Sequence, residues 1–174
     1  MIVMSRSDDQ TQHLSILQSG HLPSDQAPSH TQLQSFPNRW TKTPYLITID
    51  FPEFTSLCPV TGQPDFGRIY VEYIPHALCV ETKSWKLYMQ SYRNHHTFME
   101  TVTNQILSDL CLVLDPAWCR VQGLFAPRGG TRLNVYAERF ATTLSSEQTT
   151  QIRDFVAQYR IDAHIQTVHQ SVNA

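Results

Sequence analysis

"ETKSWKLYMQSYRNHHTFMETVTNQILSDLCLVLDP", residues Glu81 to Pro116, carries two helical patterns back to back. Trp85, Tyr88, Met89 and Tyr92 fall at i, i+3, i+4 and i+7, which predicts a helix with one apolar face. Lys83 and Lys86 lie off that face and point to solvent or to a ligand. Phe98, Val102, Ile106, Leu110 and Val113 form a second stripe. Thr97 and Glu100 fit a capping box ahead of it, and Pro116 closes the run after Asp115.

On either side of this helical pair the pattern changes to that of strands. Upstream, "YLITIDF" (45–51) is rich in β-branched and aromatic residues, and Pro52 marks a loop after it. "FGRIYVEYIP" (66–75) alternates through Ile69, Val71 and Tyr73 and stops at Pro75. Downstream, "WCRVQGLF" (118–125) and "TRLNVYAER" (131–139) are strand-like and joined by "APRGG", whose two glycines suit the positive φ of a tight turn. The expected order is two strands, two helices, two strands.

The ends look different. Residues 1–43 are rich in Gln, Ser, His and Pro and read as an extension that docks rather than packs by itself, ahead of a domain spanning 44–142. In the 143–174 tail, Ile152, Phe155, Val156 and Tyr159 predict a short helix between Ser146 and Arg160. The chain has 174 residues and a net charge of -2, with no basic run able to track a phosphate backbone, so nucleic acid is not an expected partner. The apolar start is four residues long and the longest interior apolar run is "LCLVL", so no membrane segment is expected and a cytoplasmic location is.

The four cysteines, Cys58, Cys79, Cys111 and Cys119, lack paired C-x-x-C spacing, so free thiols and no metal site are expected. Cys79, Cys111 and Cys119 sit in apolar periodic stretches and read as core. Cys58 is set apart in "FTSLCPVTGQPDFG" (54–67), a loop between Pro52 and Pro64 with Thr55, Ser56 and Thr61 nearby, where N–H groups and hydroxyls can stabilise a thiolate. The local pattern leaves three roles open: a small buried apolar residue, a metal ligand, or a nucleophile with Asp65 as its acid. Asp65 after Pro64 is also ordinary turn chemistry, and His95 and His96 read as exposed loop residues.

Taken together, "FPEFTSLCPVTGQPDFG", "CVETKSWKLYMQSYRNH" and "FAPRGG", in this order, carry a resemblance over Phe36 to Arg139. The chain resembles the 7-cyano-7-deazaguanine reductases, NADPH-dependent nitrile reductases of queuosine biosynthesis, in their short, single-unit branch. The resemblance implies an α+β tunnelling fold, shared with GTP cyclohydrolase I and dihydroneopterin aldolase. Its ββααββ unit forms an antiparallel four-stranded sheet with two helices on one face.

The resemblance also implies roles. Cys58 would attack the nitrile carbon of 7-cyano-7-deazaguanine to give a thioimide, with Asp65 as proton donor and NADPH as reductant. Glu100, with Val80, Glu81 and Thr82, would hold the guanine-like ring, a carboxylate accepting its N–H groups. Met99 stands where the family has a substrate-contacting histidine, and methionine cannot donate a proton. His96, one turn before Glu100 if the helix starts early, is a substitute. Lys83, Lys86, Arg128 and the Gly129–Gly130 backbone would meet the cofactor phosphates, Arg128 by a bidentate contact. A homo-oligomer, a decamer of two pentameric rings, is implied. Two other readings are an amidine-forming relative acting on tRNA, which would lack E-x-K-S-x-K-L-Y, and a non-catalytic purine- or pterin-binding module.

Overall fold

The computed structural model describes residues 26–172. Its elements are β1 (Ser35–Pro37), β2 (Ile47–Leu57), β3 (Pro64–Ile74), β4 (Leu78–Val80), α1 (Thr82–Ser91), α2 (Met99–Leu114), β5 (Trp118–Phe125), β6 (Asn134–Phe140) and α3 (Ser146–Val172). The main sheet has the order β2-β3-β5-β6, with β3 antiparallel to both β2 and β5. The chain divides into two compact units, Met1–Arg139 and Phe140–Ala174.

Alternation places Ile69, Val71 and Tyr73 of β3 and Cys119, Val121 and Phe125 of β5 in one buried cluster, with the apolar faces of α1 and α2. Trp85, Tyr88, Met89 and Tyr92 are all buried, as their spacing requires. Val102, Ile106 and Leu110 do the same for α2, and burying each such side chain contributes roughly 2 kcal/mol. Inside the cluster Asp109 accepts from the Tyr88 hydroxyl at 2.7 Å and from Gln105 Nε2 at 2.7 Å, which fastens α1 to α2 and satisfies a buried carboxylate. Gly123 lets α2 lie close on β5, since a Cβ there would collide with Thr103 Oγ1 and the Phe125 ring.

Several sequence expectations are corrected. Pro52 does not end the first strand. The register runs Phe51↔Ile69 and then Phe54↔Gly67, three steps on β2 against two on β3, so Pro52 sits in a bulge, where its missing N–H interrupts no ladder bond. The strand continues to Leu57, so the cysteine loop shrinks to a short hairpin turn and Asp65 falls within β3, opposite Ser56.

The capping box at α2 is absent. Its N-cap is Phe98, with no side-chain cap bond, and Phe98 is 54% exposed rather than part of the buried stripe. The reason is that the Thr97 N–H donates to Leu57 O at 2.9 Å, which commits residues before Met99 to an extended path. The far end is closed by Asp115 in the left-handed region at φ 42.

A two-stranded ribbon, β1 with β4, escaped the sequence reading because each strand is three residues long. Gln34 N–H donates to Ser84 Oγ and Glu81 N–H to Gln34 O, so the segment before β1 is tied to the start of α1. The terminal helix α3 is longer than expected, because residues 161–172 contain no glycine or proline to stop it.

Candidate active site

Cys58 follows the last residue of β2 and opens the turn to β3. The turn is closed by Cys58 N–H to Gln63 O at 2.8 Å and Gly62 N–H to Cys58 O at 2.9 Å, with Gly62 at φ 67. Thr61 and Val60, folded back over the sulfur, lower the Cys58 pKa to about 6, first through the Thr61 hydroxyl, then through the Thr61 and Val60 N–H groups, with a smaller contribution from Arg128. Although only 8% of the residue is exposed, its cover is this polar turn, so burial opposes the shift only weakly. Near neutral pH the thiolate is therefore the favoured form of this sulfur. Alkylation of Cys58 by iodoacetamide should rise with pH to a half-maximal rate near pH 6, whereas an ordinary thiol reaches it near about 8.5. A midpoint above 8, read by intact mass, would contradict this.

Asp65 is 3% exposed, and its carboxylate accepts a hydrogen bond from Arg128 Nη1. Arg128 is held by the hairpin between β5 and β6, where Arg128 N–H and Thr131 O, and Thr131 N–H and Arg128 O, pair at 2.9 Å. Gly129 and Gly130 supply φ 54 and 80 there, a two-residue turn that other residues make only with strain. Ala126 N–H bonds Phe66 O at 2.8 Å, anchoring the approach to this hairpin beside Asp65. The Arg128 guanidinium pairs with Asp65 and also helps to lower the Cys58 pKa, so acid and nucleophile share one cation. Asp65 thus lies within β3 and is held by this ion pair, and Arg128, the sequence's candidate for the cofactor phosphates, meets it through Nη1.

His96 does not lie on α2, because the helix begins three residues later. It reaches the cysteine another way. Leu57 N–H bonds His95 O at 3.0 Å and Thr97 N–H bonds Leu57 O, a parallel bridge between Leu57 and His96. His96 Nδ1 then stands 3.4 Å from Cys58 O. The same bridge brings the start of α2, with half-buried Met99 and exposed Glu100, next after the segment bound to β2. No hydrogen bond among the described residues engages the Glu100 carboxylate.

A family model described as a QueF-like protein matches residues 64–143. The NADPH-dependent 7-cyano-7-deazaguanine reductase of Desulfovibrio desulfuricans is 56% identical over 157 residues, covering 90% of this chain and 94% of the relative. The chain belongs to the 7-cyano-7-deazaguanine reductase family. The reductase of the same name from Nitratidesulfovibrio vulgaris is 53% identical over 156 residues, again covering 90% of this chain and 94% of the relative. Among solved structures, the apo form of an archaeosine synthase, QueF-Like, aligns with TM-score 0.52 and 25% identity over 56% of this chain and 95% of that one. The antiparallel four-stranded sheet with its helices is the tunnelling fold of these reductases.

Other residues named from the reductase pattern have structural contacts of their own or lie on the surface. Both Glu81 carboxylate oxygens are taken by the α1 N-terminus, accepting from Lys83 N–H at 2.8 Å and Ser84 N–H at 2.6 Å. Val80 N–H bonds the Tyr73 hydroxyl at 3.2 Å. Thr82 and Lys86 are exposed and Lys83 is half-buried. Among the described residues no hydrogen bond links Val80, Glu81 or Thr82 to the Cys58 turn. No group of three His, Cys, Asp or Glu among them could hold a metal ion, and no helix is long and apolar enough to cross a membrane.

The sequence reading missed a cavity of about 790 Å³ whose lining includes Glu53, Phe66, Arg68, Arg93, Pro127 and Arg132. Its arginines come from β3, the turn after α1 and the β5–β6 hairpin, so no local spacing could have flagged them.

Proposed function

We infer that the chain reduces the nitrile of 7-cyano-7-deazaguanine to the aminomethyl group of 7-aminomethyl-7-deazaguanine with NADPH, through a thioimide on Cys58. The observation that carries this reading is a thiol of pKa about 6 sharing the Arg128 guanidinium with a buried carboxylate, Asp65. The test is anaerobic incubation with the nitrile, reading the adduct by intact mass without NADPH and the amine by mass with it. The E-x-K-S-x-K-L-Y segment from Glu81 to Tyr88 is whole, which favours reduction over amidine formation on tRNA.

In the first step the Cys58 thiolate adds to the nitrile carbon. Asp65 first takes up the proton that leaves the Cys58 thiol; an S–C bond then forms, one C–N π bond breaks, and its electron pair on nitrogen takes that proton from the Asp65 carboxyl. The carboxylate left behind is the form that Arg128 stabilises. NADPH, when bound, would supply the hydrides that take the carbon from thioimide to amine, one from each of two cofactor molecules. A thiolate of low pKa also leaves readily, so the same hydrogen bonds from Thr61 and Val60 that prepare attack assist release of the sulfur. Glu100, its carboxylate exposed at the start of α2, accepts the ring N–H groups, with Val80, Glu81, Thr82 and Met99 as further ring contacts. Lys83, Lys86, Arg128 and the Gly129–Gly130 backbone are the sequence's candidates for the cofactor. The catalytic unit is 44–142, between the 1–43 extension and the 143–174 tail.

Met99 leaves the second proton to another group, and the position of His96 beside Cys58 O supports His96. His96→Ala should slow the second reduction by roughly a hundredfold, the usual worth of a general acid, with thioimide formation little changed, and Met99→His should be nearly neutral. Single-turnover NADPH oxidation reads both; a large gain in Met99→His with a neutral His96→Ala would reverse the assignment.

The reading includes a decamer of two pentameric rings. Support comes from the open edges of β2 and β6 and from exposed Val60 and Phe98, which flank the cysteine turn and the start of α2. Light scattering should give about 200 kDa, ten times the 20.0 kDa chain. A monomer in a preparation that turns over would overturn it.

A further inference from the structure

We propose that Ser56 is a further catalytic residue, whose hydroxyl donates a hydrogen bond to the nitrile nitrogen as the Cys58 adduct forms. This rests on the reductase reading and adds to it a group outside the residues that the sequence singled out for the reaction.

The pleat of two strands places the serine. On β2, buried Phe54 and Ser56 alternate with half-buried Thr55 and Leu57, and Cys58 is buried at the next step of the same alternation. On β3, Asp65 is the direct partner of Ser56 in the antiparallel register, so the two side chains leave the same face of the sheet with Cβ atoms about 5 Å apart. Ser56 is thus two residues from the nucleophile and directly across from the acid.

The hydroxyl itself is unclaimed. Ser56 is 0% exposed, and its Oγ has no hydrogen-bond partner among the described residues. The reacting groups beside it are served by others: Asp65 accepts from Arg128, and the donors that lower the Cys58 pKa are Thr61, Val60 and Arg128. A buried hydroxyl without a partner costs stability, and alanine would fill nearly the same space without that cost, so packing alone does not account for a serine here. An acceptor that arrives between Cys58 and Asp65 offsets the cost, and the nitrile nitrogen is such an acceptor.

The chemistry needs a donor at this atom. When sulfur adds to the nitrile carbon, an electron pair moves onto nitrogen, which carries negative charge until the Asp65 proton arrives. A fixed donor aimed at that nitrogen stabilises the charge as it develops. The serine hydroxyl keeps its own proton throughout, so the proton that ends on nitrogen is still the one from Asp65. Each later hydride addition to the same carbon pushes a further electron pair onto the same nitrogen, and the same donor serves it.

The test is Ser56→Ala in the full-length protein, read in four ways. Thioimide formation at saturating 7-cyano-7-deazaguanine, followed by intact mass without NADPH, should slow about 10²-fold, the worth of one donor aimed at developing charge. The nitrile concentration giving half the maximal rate should change less than about threefold, because the nitrogen is a weak acceptor until it gains charge. The pH midpoint for alkylation of Cys58 by iodoacetamide should stay at about 6. The melting temperature should hold or rise, since alanine removes a hydroxyl that has no partner in the free protein. Adduct formation within about twofold of the wild-type rate overturns the proposal. So does a slowed rate accompanied by a shifted alkylation midpoint or a lowered melting temperature, which would make Ser56 a support for Cys58 or for the strand pair. Wild-type protein that forms no thioimide overturns the reductase reading itself, and this proposal with it.

Discussion

Cys58→Ala should abolish the covalent adduct with 7-cyano-7-deazaguanine and lower turnover by roughly 10³-fold or more, since no other group on the turn can add to a nitrile. The thiolate arises from hydrogen bonds by Thr61 and Val60 to the sulfur itself, and alanine removes the sulfur while keeping the backbone bonds Cys58 N–H to Gln63 O and Gly62 N–H to Cys58 O. The turn should therefore survive, and circular dichroism should match wild type. Cys79 and Cys119 are buried and Cys111 lies on α2, so no second thiol is on the turn. An adduct mass retained in Cys58→Ala would place the nucleophile elsewhere.

Asp65→Asn should slow thioimide formation by roughly 10²- to 10⁴-fold, because the nitrile nitrogen then develops its negative charge without a positioned acid. The same change carries an opposite signature on the free thiol. Removing a carboxylate from the cation shared with Cys58 leaves Arg128 with the sulfur as its anionic partner, so the thiol pKa should fall below about 6. Alkylation by iodoacetamide should accordingly hold its rate to lower pH while addition to the nitrile slows. A purely structural role for Asp65 predicts that both reactions slow together, and that result would remove it from the proton-donor role.

Much of the scaffold was legible because periodicity reports on one element at a time. The i, i+3, i+4, i+7 spacing of Trp85, Tyr88, Met89 and Tyr92 needs only the 3.6-residue repeat, and all four are buried where it placed them. Val102, Ile106 and Leu110 follow the same rule, and Gly129–Gly130 announced a tight turn because only its φ angles ask for that pair. Phe98 failed at the end of its stripe, where a neighbouring strand competes for the backbone of Thr97.

The sequence alone determined the order of elements, the buried faces of both helices, the cysteine turn and, through its long motifs, the family. Only the tertiary structure decided what surrounds the sulfur. Arg128 meets Asp65 across 63 residues of chain, and His96 meets Cys58 across 38, through a strand-like bridge in place of the expected helix face. Pro52 reads as a stop in isolation and becomes a bulge because β3 pairs on both sides of it. Arg93 and Arg132 share a cavity for the same reason. Side-chain charge and backbone donors act over a few ångströms in space, and which residues fall within that range is set by how the sheet and helices pack, which spacing along the chain does not encode.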